Sequence, residues 1–421
     1  KLIRRKRALW RNFKRTGDTT DYITHRSFSN HLSSVIRQAR ITYEKRIADD
    51  KNPKSFFKYI RSSLGAPVRT PQVRNTDGCV VDDESLVADI FASTFAAAFT
   101  NEPNSIPVMN VPSNVARLND LQFLEETVLE KLLKLKSTKS PGPDKITAKL
   151  LKSCATNLSR PICILINQSF QSGVLPLDWK TATVTPIFKA GDKFDASNYR
   201  PVSLTSVVVK IMESIIYDKT MNFLMECNII PCEQHGFWPG KSINTNMLCC
   251  LDEWTRALDM GKSVDVAYFD FSKAFDRVPR RYLLYKLRHF GIQGKLLRWI
   301  DAFLTDRSFN VKIGGALSAA VQVISGVPQG SVLGPLLFLV YTADLKFSIN
   351  SHFAMYADDL KIYNESCNQL IMTNDISAVL KWSEQWALPL NRDKCTILYL
   401  GSKNCTHITW EVRNSKNQNH I

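Results

Sequence analysis

The stretch MYADDLKIY, residues 355–363, places Asp358 and Asp359 side by side within an otherwise apolar run. Adjacent carboxylates repel each other, and the interior of a strand is a costly place to bury them. Met355 and Ala357 alternate with Tyr356, which predicts two short strands that pack at their flanks and carry the aspartates at the tip of a hairpin. The pair is either a solvated turn or part of a metal site, and a metal site requires a further carboxylate elsewhere in the chain.

The candidate for that carboxylate lies in VAYFDFSKAFDRVP, residues 266–279. Asp270 ends a run of β-branched and aromatic residues that favours a strand, so its side chain can face the hairpin tip. Asp276 lies on the following helix or turn and is the competing choice. Mg²⁺ prefers hard oxygen ligands and keeps several waters, so a few aspartates suffice to bind it. Two such ions can activate a hydroxyl and stabilise a leaving phosphate oxygen.

The charge of the chain indicates a polyanionic partner. The 421 residues carry a formal net charge of +16, and residues 1–60 contribute 16 Lys and Arg against 5 Asp and Glu. The opening run KLIRRKRALWRNFKR is either a solvated basic helix or a nucleic-acid contact. Trp10 and Phe13 interleave the charges and favour the contact, for which the candidates are Arg4, Arg5, Lys6, Arg7, Arg11, Lys14 and Arg15.

The cysteines and the hydropathy indicate an intracellular protein without a membrane partner. Ten cysteines are scattered without a C-x-x-C pair or a zinc-like Cys/His cluster, so we expect reduced thiols. No apolar run reaches the length of a membrane-spanning helix. The chain begins with Lys1 rather than Met and ends in a polar stretch, which predicts a fragment of a longer protein.

The order of the predicted elements favours an α+β fold of two or three domains. Residues 1–62 are expected to be helical and basic, and the mixed stretch 64–120 is the candidate linker. A long helix is predicted within residues 203–230, and a hairpin is predicted to turn at Gly314–Gly315. Because helices and antiparallel strand pairs alternate irregularly, a doubly wound parallel sheet is disfavoured.

Further segments occur in a fixed order around the two aspartate motifs. Between about residues 140 and 401 they are SPGPDKI, TPIFKAGDK, NYRPVSLTSVVVKIMESII, QHGFWPGKSINTN, GVPQGSVLGPLLF and LPLNRDKCTILYLG. Together with the strand aspartate before AFD and with YADD, they resemble the RNA-directed DNA polymerase of non-LTR retrotransposons, of LINE type and similar to jockey or CR1.

The resemblance implies the fingers and palm of a right-hand polymerase, with an antiparallel palm sheet and a thumb that is largely absent. The expected domains are a basic helical extension and linker at 1–120, a fingers-rich part at 121–260, a palm at 261–401 and a truncated start of the thumb at 402–421. No nuclease, ribonuclease H set or Cys/His knuckle is recognised in the sequence.

By the same resemblance, Asp270, Asp358 and Asp359 are the catalytic carboxylates. They would hold two Mg²⁺ ions, for which Mn²⁺ is a possible substitute, and Asp359 would be the least direct ligand. Asp276 is assigned to structure, as a partner of the nearby arginines at positions 277, 280 and 281.

The resemblance also implies nucleotide-binding residues. Phe275 matches the aromatic residue that excludes a 2′-hydroxyl, and the backbone N–H groups of Phe271, Ser272 and Lys273 would face the triphosphate. The remaining candidates are Lys189 and Arg200 for the triphosphate, and Gln329 and Gly330 in the loop that packs on the incoming nucleotide.

Three further roles follow from the match. Lys394 would protonate the pyrophosphate leaving group, and Leu400 with Gly401 would form the primer grip. Trp238 stands where the family usually has a basic residue, so a phosphate contact is weakened there, and Lys241 could compensate.

The implied function is RNA-templated DNA synthesis in retrotransposon mobilisation, by two-metal nucleotidyl transfer. The partners would be an RNA template, a DNA primer or target and dNTPs, in the nucleus and in cytoplasmic ribonucleoprotein. One alternative is a truncated or decayed copy that binds RNA or DNA without catalysis. Another is an RNA-dependent RNA polymerase, against which the bulky Phe275 argues.

Overall fold

The computed structural model describes residues 2–50, 70–109 and 116–401, together with positions 56, 57, 59, 60 and 63. The chain divides into two compact units, Lys1–Arg69 and Thr70–Ile421. The predicted start of a thumb at 402–421 lies outside the described residues. Within those residues, none of the helices combines the length and the apolar character that crossing a bilayer would need.

The first unit is a hairpin of two helices, Leu2–Thr16 and Thr19–Asp49. Asp18 caps the second helix, because its side chain accepts a hydrogen bond from the Thr20 N–H at 3.0 Å. Aromatic rings join the two helices. The ring centroids of Trp10 and His25 lie 5.0 Å apart, and those of Phe13 and Tyr22 lie 5.2 Å apart. The interleaved aromatic residues of the basic run therefore hold the helical hairpin together.

The second unit contains all the strands of the described residues and the following helices. Its α-helices are Glu84–Ala96, Glu125–Leu133, Ala148–Ser153, Ala155–Ser172, Leu177–Lys180, Val207–Glu226, Ile243–Asp259, Ala274–Arg277, Arg280–His289, Gly294–Leu304, Leu333–Thr342 and Gln369–Gln385. Its strands are β1 (Val73–Arg74), β2 (Val80–Val81), β3 (Thr181–Phe188), β4 (Tyr199–Leu204), β5 (Val264–Asp270), β6 (Arg307–Ile313), β7 (Ala316–Leu317), β8 (Val321–Val323), β9 (His352–Tyr356), β10 (Asp359–Glu365) and β11 (Thr396–Leu400).

An antiparallel sheet of four strands carries both aspartate motifs. Its order is β11-β5-β10-β9, and the β9–β10 hairpin follows the prediction from residues 355–363. In the register between β10 and β5, Asp359 pairs with Asp270 and Leu360 pairs with Phe269. The central strand β5 is almost entirely buried, as its run of β-branched and aromatic residues predicts.

A second sheet has the order β4-β3-β6-β7, and β8 also pairs with β6. Most of its pairings are antiparallel, but β3 and β6 run parallel. The predicted turn at Gly314–Gly315 joins β6 to β7. The mixture of helices and largely antiparallel sheets confirms the expected α+β class. Because β6 pairs with β3, a boundary at residue 260 does not separate the two sheets.

Part of the expected linker is a packed helix. Asp83 caps Glu84–Ala96 by accepting hydrogen bonds from two backbone N–H groups, and Phe91 on this helix is fully buried. The helix packs with Val184 of β3 and Val311 of β6 in one apolar cluster. The signal was available in the sequence, because the aspartate cap precedes apolar residues at helical spacing.

Candidate active site

Three aspartates meet at one end of the four-stranded sheet. Asp270 is the last residue of β5, and Asp359 is the first residue of β10 directly opposite it. Asp358 lies in the two-residue turn between β9 and β10, next to Ala357, whose φ of 59° is left-handed. The antiparallel register therefore brings together carboxylates that lie far apart in sequence.

Burial and neighbouring charges both act on the pKa values of two of the aspartates. Burial raises the pKa of the Asp358 carboxyl, and the neighbouring Asp359 and Asp270 raise it further. Burial also raises the pKa of Asp359, which Asp270 reinforces, while the positive charges of Lys189, Lys394 and Arg200 oppose the shift. Arg200 of β4 therefore acts on both carboxylates, and Lys189, which follows β3, acts on Asp359.

A lysine is bound to the third aspartate. The Lys394 Nζ atom donates to Asp270 Oδ2 at 3.0 Å, and the Asn391 N–H donates to the Asp270 carbonyl oxygen at 2.7 Å. Across the described part of the chain, no three His, Cys, Asp or Glu side chains converge closely enough to hold a metal ion. The oxygen donors suit Mg²⁺ chemically, because carboxylates are the hard oxygen ligands that this ion prefers.

A cleft of about 940 Å³ opens over the aspartates. It brings together all the catalytic and nucleotide-binding candidates that the sequence nominated. Those that line it are Lys189, Arg200, Asp270, Phe271, Ser272, Lys273, Phe275, Gln329, Gly330, Asp358, Asp359 and Lys394.

Phe275 packs against two other rings. It stacks on the buried Phe338 with ring centroids 4.7 Å apart, and the Phe237 ring lies nearly perpendicular to it with centroids 5.9 Å apart. Phe237 also lines the cleft and is 43% exposed. The sequence analysis assigned no role to Phe237, although it belongs to the QHGF segment that carried the resemblance.

Gln329 is fixed by Asp276. The Gln329 Nε2 atom donates to Asp276 Oδ1 at 2.7 Å, and the Gln329 carbonyl oxygen accepts from the Ser203 N–H at 3.2 Å. The assignment of Asp276 to structure fits this contact, but its hydrogen-bond partner is Gln329 rather than one of the arginines that the sequence suggested. Burial raises the pKa of Asp276 to about 6.

The loop after Gln329 requires a glycine. Gly330 has a φ of 94°, and a Cβ atom there would lie 2.5 Å from the Ser203 carbonyl oxygen. Ser203 belongs to β4, so the absence of a side chain lets the loop reach the second sheet.

The expected backbone contacts to the triphosphate are only partly available. The Ser272 N–H donates to the Pro389 carbonyl oxygen at 2.8 Å. The Phe271 ring is buried and lies 6.0 Å from Trp382. This segment therefore pairs with the chain around Leu390, and Ser272 is not available as a donor to a phosphate.

The candidate primer grip lies away from the aspartates. Leu400 pairs with Val264 at the start of β5, whereas Asp270 ends the same strand. Six residues of extended chain span about 20 Å, so the structure does not bring Leu400 and Gly401 to the cleft. The antiparallel register of β11 is the physical reason, and the role of these residues at the primer 3′ end stays a prediction.

The other basic candidates also lie outside the cleft lining. Lys241 donates to the carbonyl oxygen of Cys232 and lies 4.3 Å from the Trp238 ring centroid. Its ammonium group is thus used within the fold, which argues against the phosphate contact that we expected. The basic residues of Leu2–Thr16 belong to the first unit and are largely exposed there.

Comparisons with known proteins show the family of the chain. A profile of the family "Reverse transcriptase (RNA-dependent DNA polymerase)" matches residues 187–416, which is more than half of the chain. A protein named "RNA-directed DNA polymerase from mobile element jockey" from Drosophila funebris is 27% identical over 94% of the chain. The "Probable RNA-directed DNA polymerase from transposon BS" of Drosophila melanogaster is 26% identical over 93% of the chain.

The coverage of these relatives is partial. The match spans 46% of the jockey protein and 46% of the BS protein, so the chain covers about half the length of the curated relatives it matches. The resemblance to non-LTR retrotransposon polymerases is confirmed by the family match and by the relatives' names. The chain belongs to the reverse transcriptase (RNA-dependent DNA polymerase) family.

Proposed function

We propose that this chain catalyses RNA-templated DNA synthesis for retrotransposon mobilisation. The observation that carries the proposal is the cleft, where Asp270, Asp358 and Asp359 face Lys189 and Arg200. Carboxylates on one side and fixed cations on the other match the charges of a nucleoside triphosphate with its metal ions. The RNA template, the DNA primer and dNTPs are the proposed substrates.

The proposed reaction is attack of the primer 3′-hydroxyl on the α-phosphate of a dNTP. The new bond joins the 3′-oxygen to the α-phosphorus, the bond to the bridging oxygen breaks, and pyrophosphate leaves. Such transfers depend mainly on positioning and electrostatic stabilisation. Asp270 and Asp358 would hold Mg²⁺, with Asp359 as a weaker ligand, and the bound cation would supply charge neutralisation and hydroxyl activation.

The chain's own cations would act on the triphosphate. Lys189 and Arg200 would bind the phosphate oxygens, and Arg200 offers bidentate geometry. Lys394 now pairs with Asp270 and would move to protonate the pyrophosphate. Its side chain is 55% exposed, so it has room to leave the aspartate.

Phe275 would select deoxyribonucleotides. Its ring lines the cleft, stacks on the buried Phe338 and also contacts Phe237, and these contacts restrict its motion. A rigid ring beneath the 2′ position would collide with a hydroxyl, whereas a mobile ring could yield. We also infer that the four-stranded sheet forms the palm of a right-hand polymerase and that β3 and β4 belong to its fingers.

Primer extension on poly(rA)–oligo(dT) with dTTP and Mg²⁺ tests the proposal. We expect extension by the wild-type chain and its loss in the Asp358→Ala/Asp359→Ala variant. Asp252→Asn is the matched control, because this exposed carboxylate pairs with Arg256 outside the cleft. Equal extension by the wild type and the double variant would contradict the assignment of the aspartates.

A nucleic-acid-binding protein without catalysis is the second candidate. It is favoured by the Lys394–Asp270 ion pair and by the lack of a converged metal cluster among the described residues. It predicts salt-sensitive RNA binding that survives loss of both aspartates, without extension by the wild type under Mg²⁺ or Mn²⁺.

A further inference from the structure

A segment outside the catalytic hairpin runs along its edge. The Met355 N–H donates to the Glu233 carbonyl oxygen at 3.0 Å, and the His235 N–H donates to the Met355 carbonyl oxygen at 2.8 Å. Gln234 and Met355 thereby form a parallel bridge beside β9. The QHGF segment thus extends the four-stranded sheet at the edge that leads into the aspartate turn.

The side chain of Gln234 continues this pairing into the turn. Its Oε1 atom accepts from the Gly236 N–H at 2.7 Å and from the Ala357 N–H at 3.0 Å. Its Nε2 atom donates to the Ala357 carbonyl oxygen at 3.2 Å. The residue is 1% exposed, so a single buried amide binds both backbone polar groups of Ala357.

The turn needs such support because of its own sequence. A two-residue hairpin loop favours glycine or asparagine where φ is positive, but alanine occupies that position here, with a φ of 59°. A left-handed non-glycine residue is strained and persists only where its surroundings hold it. The neighbouring Gly236 allows the close approach, since a Cβ atom there would lie 2.1 Å from the Ala357 nitrogen.

We propose that Gln234 is a positioning residue that fixes Asp358 through Ala357. Asp358 is the next residue in the chain, so rotation of the Ala357 peptide would swing its carboxylate out of the cleft. The inference rests on the proposed function, in which Asp358 binds the catalytic cation. It assigns a role to a residue that makes no contact with substrate.

A neighbouring amide provides a matched control. The Asn246 Nδ2 atom donates to the Met355 carbonyl oxygen at 3.1 Å, and the residue is 2% exposed. Asn246 therefore supports β9 by one buried hydrogen bond but does not reach the turn. Asn246→Leu and Gln234→Leu each replace a buried amide by an apolar group. Only Gln234→Leu removes the hydrogen bonds to Ala357 in the turn.

The experiment measures kcat and KM for dTTP in primer extension, together with amide hydrogen exchange of residues 355–359 by mass spectrometry. For Gln234→Leu we expect kcat to fall about 100-fold, as for a catalytic group displaced by 1 Å, with little change in KM. Exchange of the turn should accelerate. Asn246→Leu should lower Tm while keeping the wild-type kcat and the slow exchange of the turn.

Gln234→Glu serves as the conservative variant, because it keeps the Oε1 acceptor and replaces the Nε2 donor. It should recover part of the kcat that Gln234→Leu loses, and it tests the proposal if Gln234→Leu does not fold. An unchanged kcat in both Gln234 variants, or an equal kcat loss in Asn246→Leu, would overturn the positioning role.

Hydrogen exchange separates this inference from the proposed function. If the wild-type chain extends no primer, the proposed function fails, and hydrogen exchange alone tests whether Gln234 holds the turn at Ala357. Faster hydrogen exchange of the turn in the Gln234 variants than in Asn246→Leu supports the positioning role of Gln234, and equal exchange in all variants overturns it.

Discussion

Replacing Asp276 by asparagine tests how the fold holds the loop at Gln329. Asp276 is half-buried, and its carboxylate accepts the hydrogen bond from Gln329 Nε2 at 2.7 Å. Asparagine has nearly the same shape and can accept the same hydrogen bond through its Oδ1 atom. The substitution therefore removes the buried charge and retains the contact.

The size of the effect follows from the shifted pKa. The pKa of Asp276 is raised from 3.8 to about 6, and burial is the largest cause of this rise. The hydrogen bond from Gln329 and the nearby cations of Lys273 and Arg277 lower the pKa and so oppose the shift. A difference of about 2 pKa units corresponds to ~3 kcal/mol. Because the pKa is higher in the folded chain, ionisation disfavours folding. Stability from this group is complete below about pH 4 and is lost as the pH rises through about 6.

Asp276→Asn should thus be more stable than the wild type by up to ~3 kcal/mol above about pH 7. The difference should shrink steadily toward about pH 4, where both side chains are neutral. Urea unfolding followed by tryptophan fluorescence across this range measures the free energy of unfolding of each variant. Asp252→Asn, at an exposed site, should show no such trend. A variant less stable than the wild type at neutral pH, or a difference independent of pH, would refute the reasoning.

Three further predictions concern other parts of the chain. Phe275→Val should raise incorporation of ribonucleotides relative to dNTPs by at least about 10-fold, because a smaller side chain leaves room for the 2′-hydroxyl; unchanged discrimination in matched primer-extension assays would contradict a sugar-reading role. Lys286→Met should destabilise the fold by about 3–5 kcal/mol in urea unfolding, because it leaves Asp344 buried and unpaired. The Lys286 Nζ and Asp344 Oδ1 atoms lie 2.6 Å apart, so the double variant Lys286→Met/Asp344→Leu should regain most of the lost stability. A double variant as unstable as Lys286→Met would show that the loss does not come from an unpaired Asp344. Neutralising the basic run should reduce the slope of log affinity for single-stranded RNA against log salt by about 3, and an unchanged slope would exclude phosphate contacts there; the residues changed to glutamine are Arg4, Arg5, Lys6 and Arg7.

Much of the site could be read from local sequence. Strand propensity and alternation located β5 and the β9–β10 hairpin, because a buried strand requires apolar residues at fixed spacing. The aspartates stood out against those apolar runs, and the resemblance supplied their common role. The Glu84–Ala96 helix was missed because its loop-rich surroundings outweighed a capping signal that was present.

Contacts between distant segments could not be read in this way. The role of Gln234 depends on a parallel bridge to Met355, more than one hundred residues later in the chain. The partner of Asp276 was misjudged, because the sequence offered nearby arginines and only the folded loop brought Gln329 within reach. Leu400 and Gly401 matched a motif, but strand register set them at the far end of β5.

Residue types and their spacing were enough to predict apolar strands that end in carboxylates, the cations between them and a strongly basic first segment. These properties are local, since each depends on a single segment of the chain. Which carboxylates, cations and amides face one another depends on the folded chain, because the register of hydrogen-bonded strands fixes distances between segments that are far apart in sequence. The aspartates of residues 358 and 359 were therefore visible from the start, while the amide of Gln234 that holds their turn became visible only in the fold.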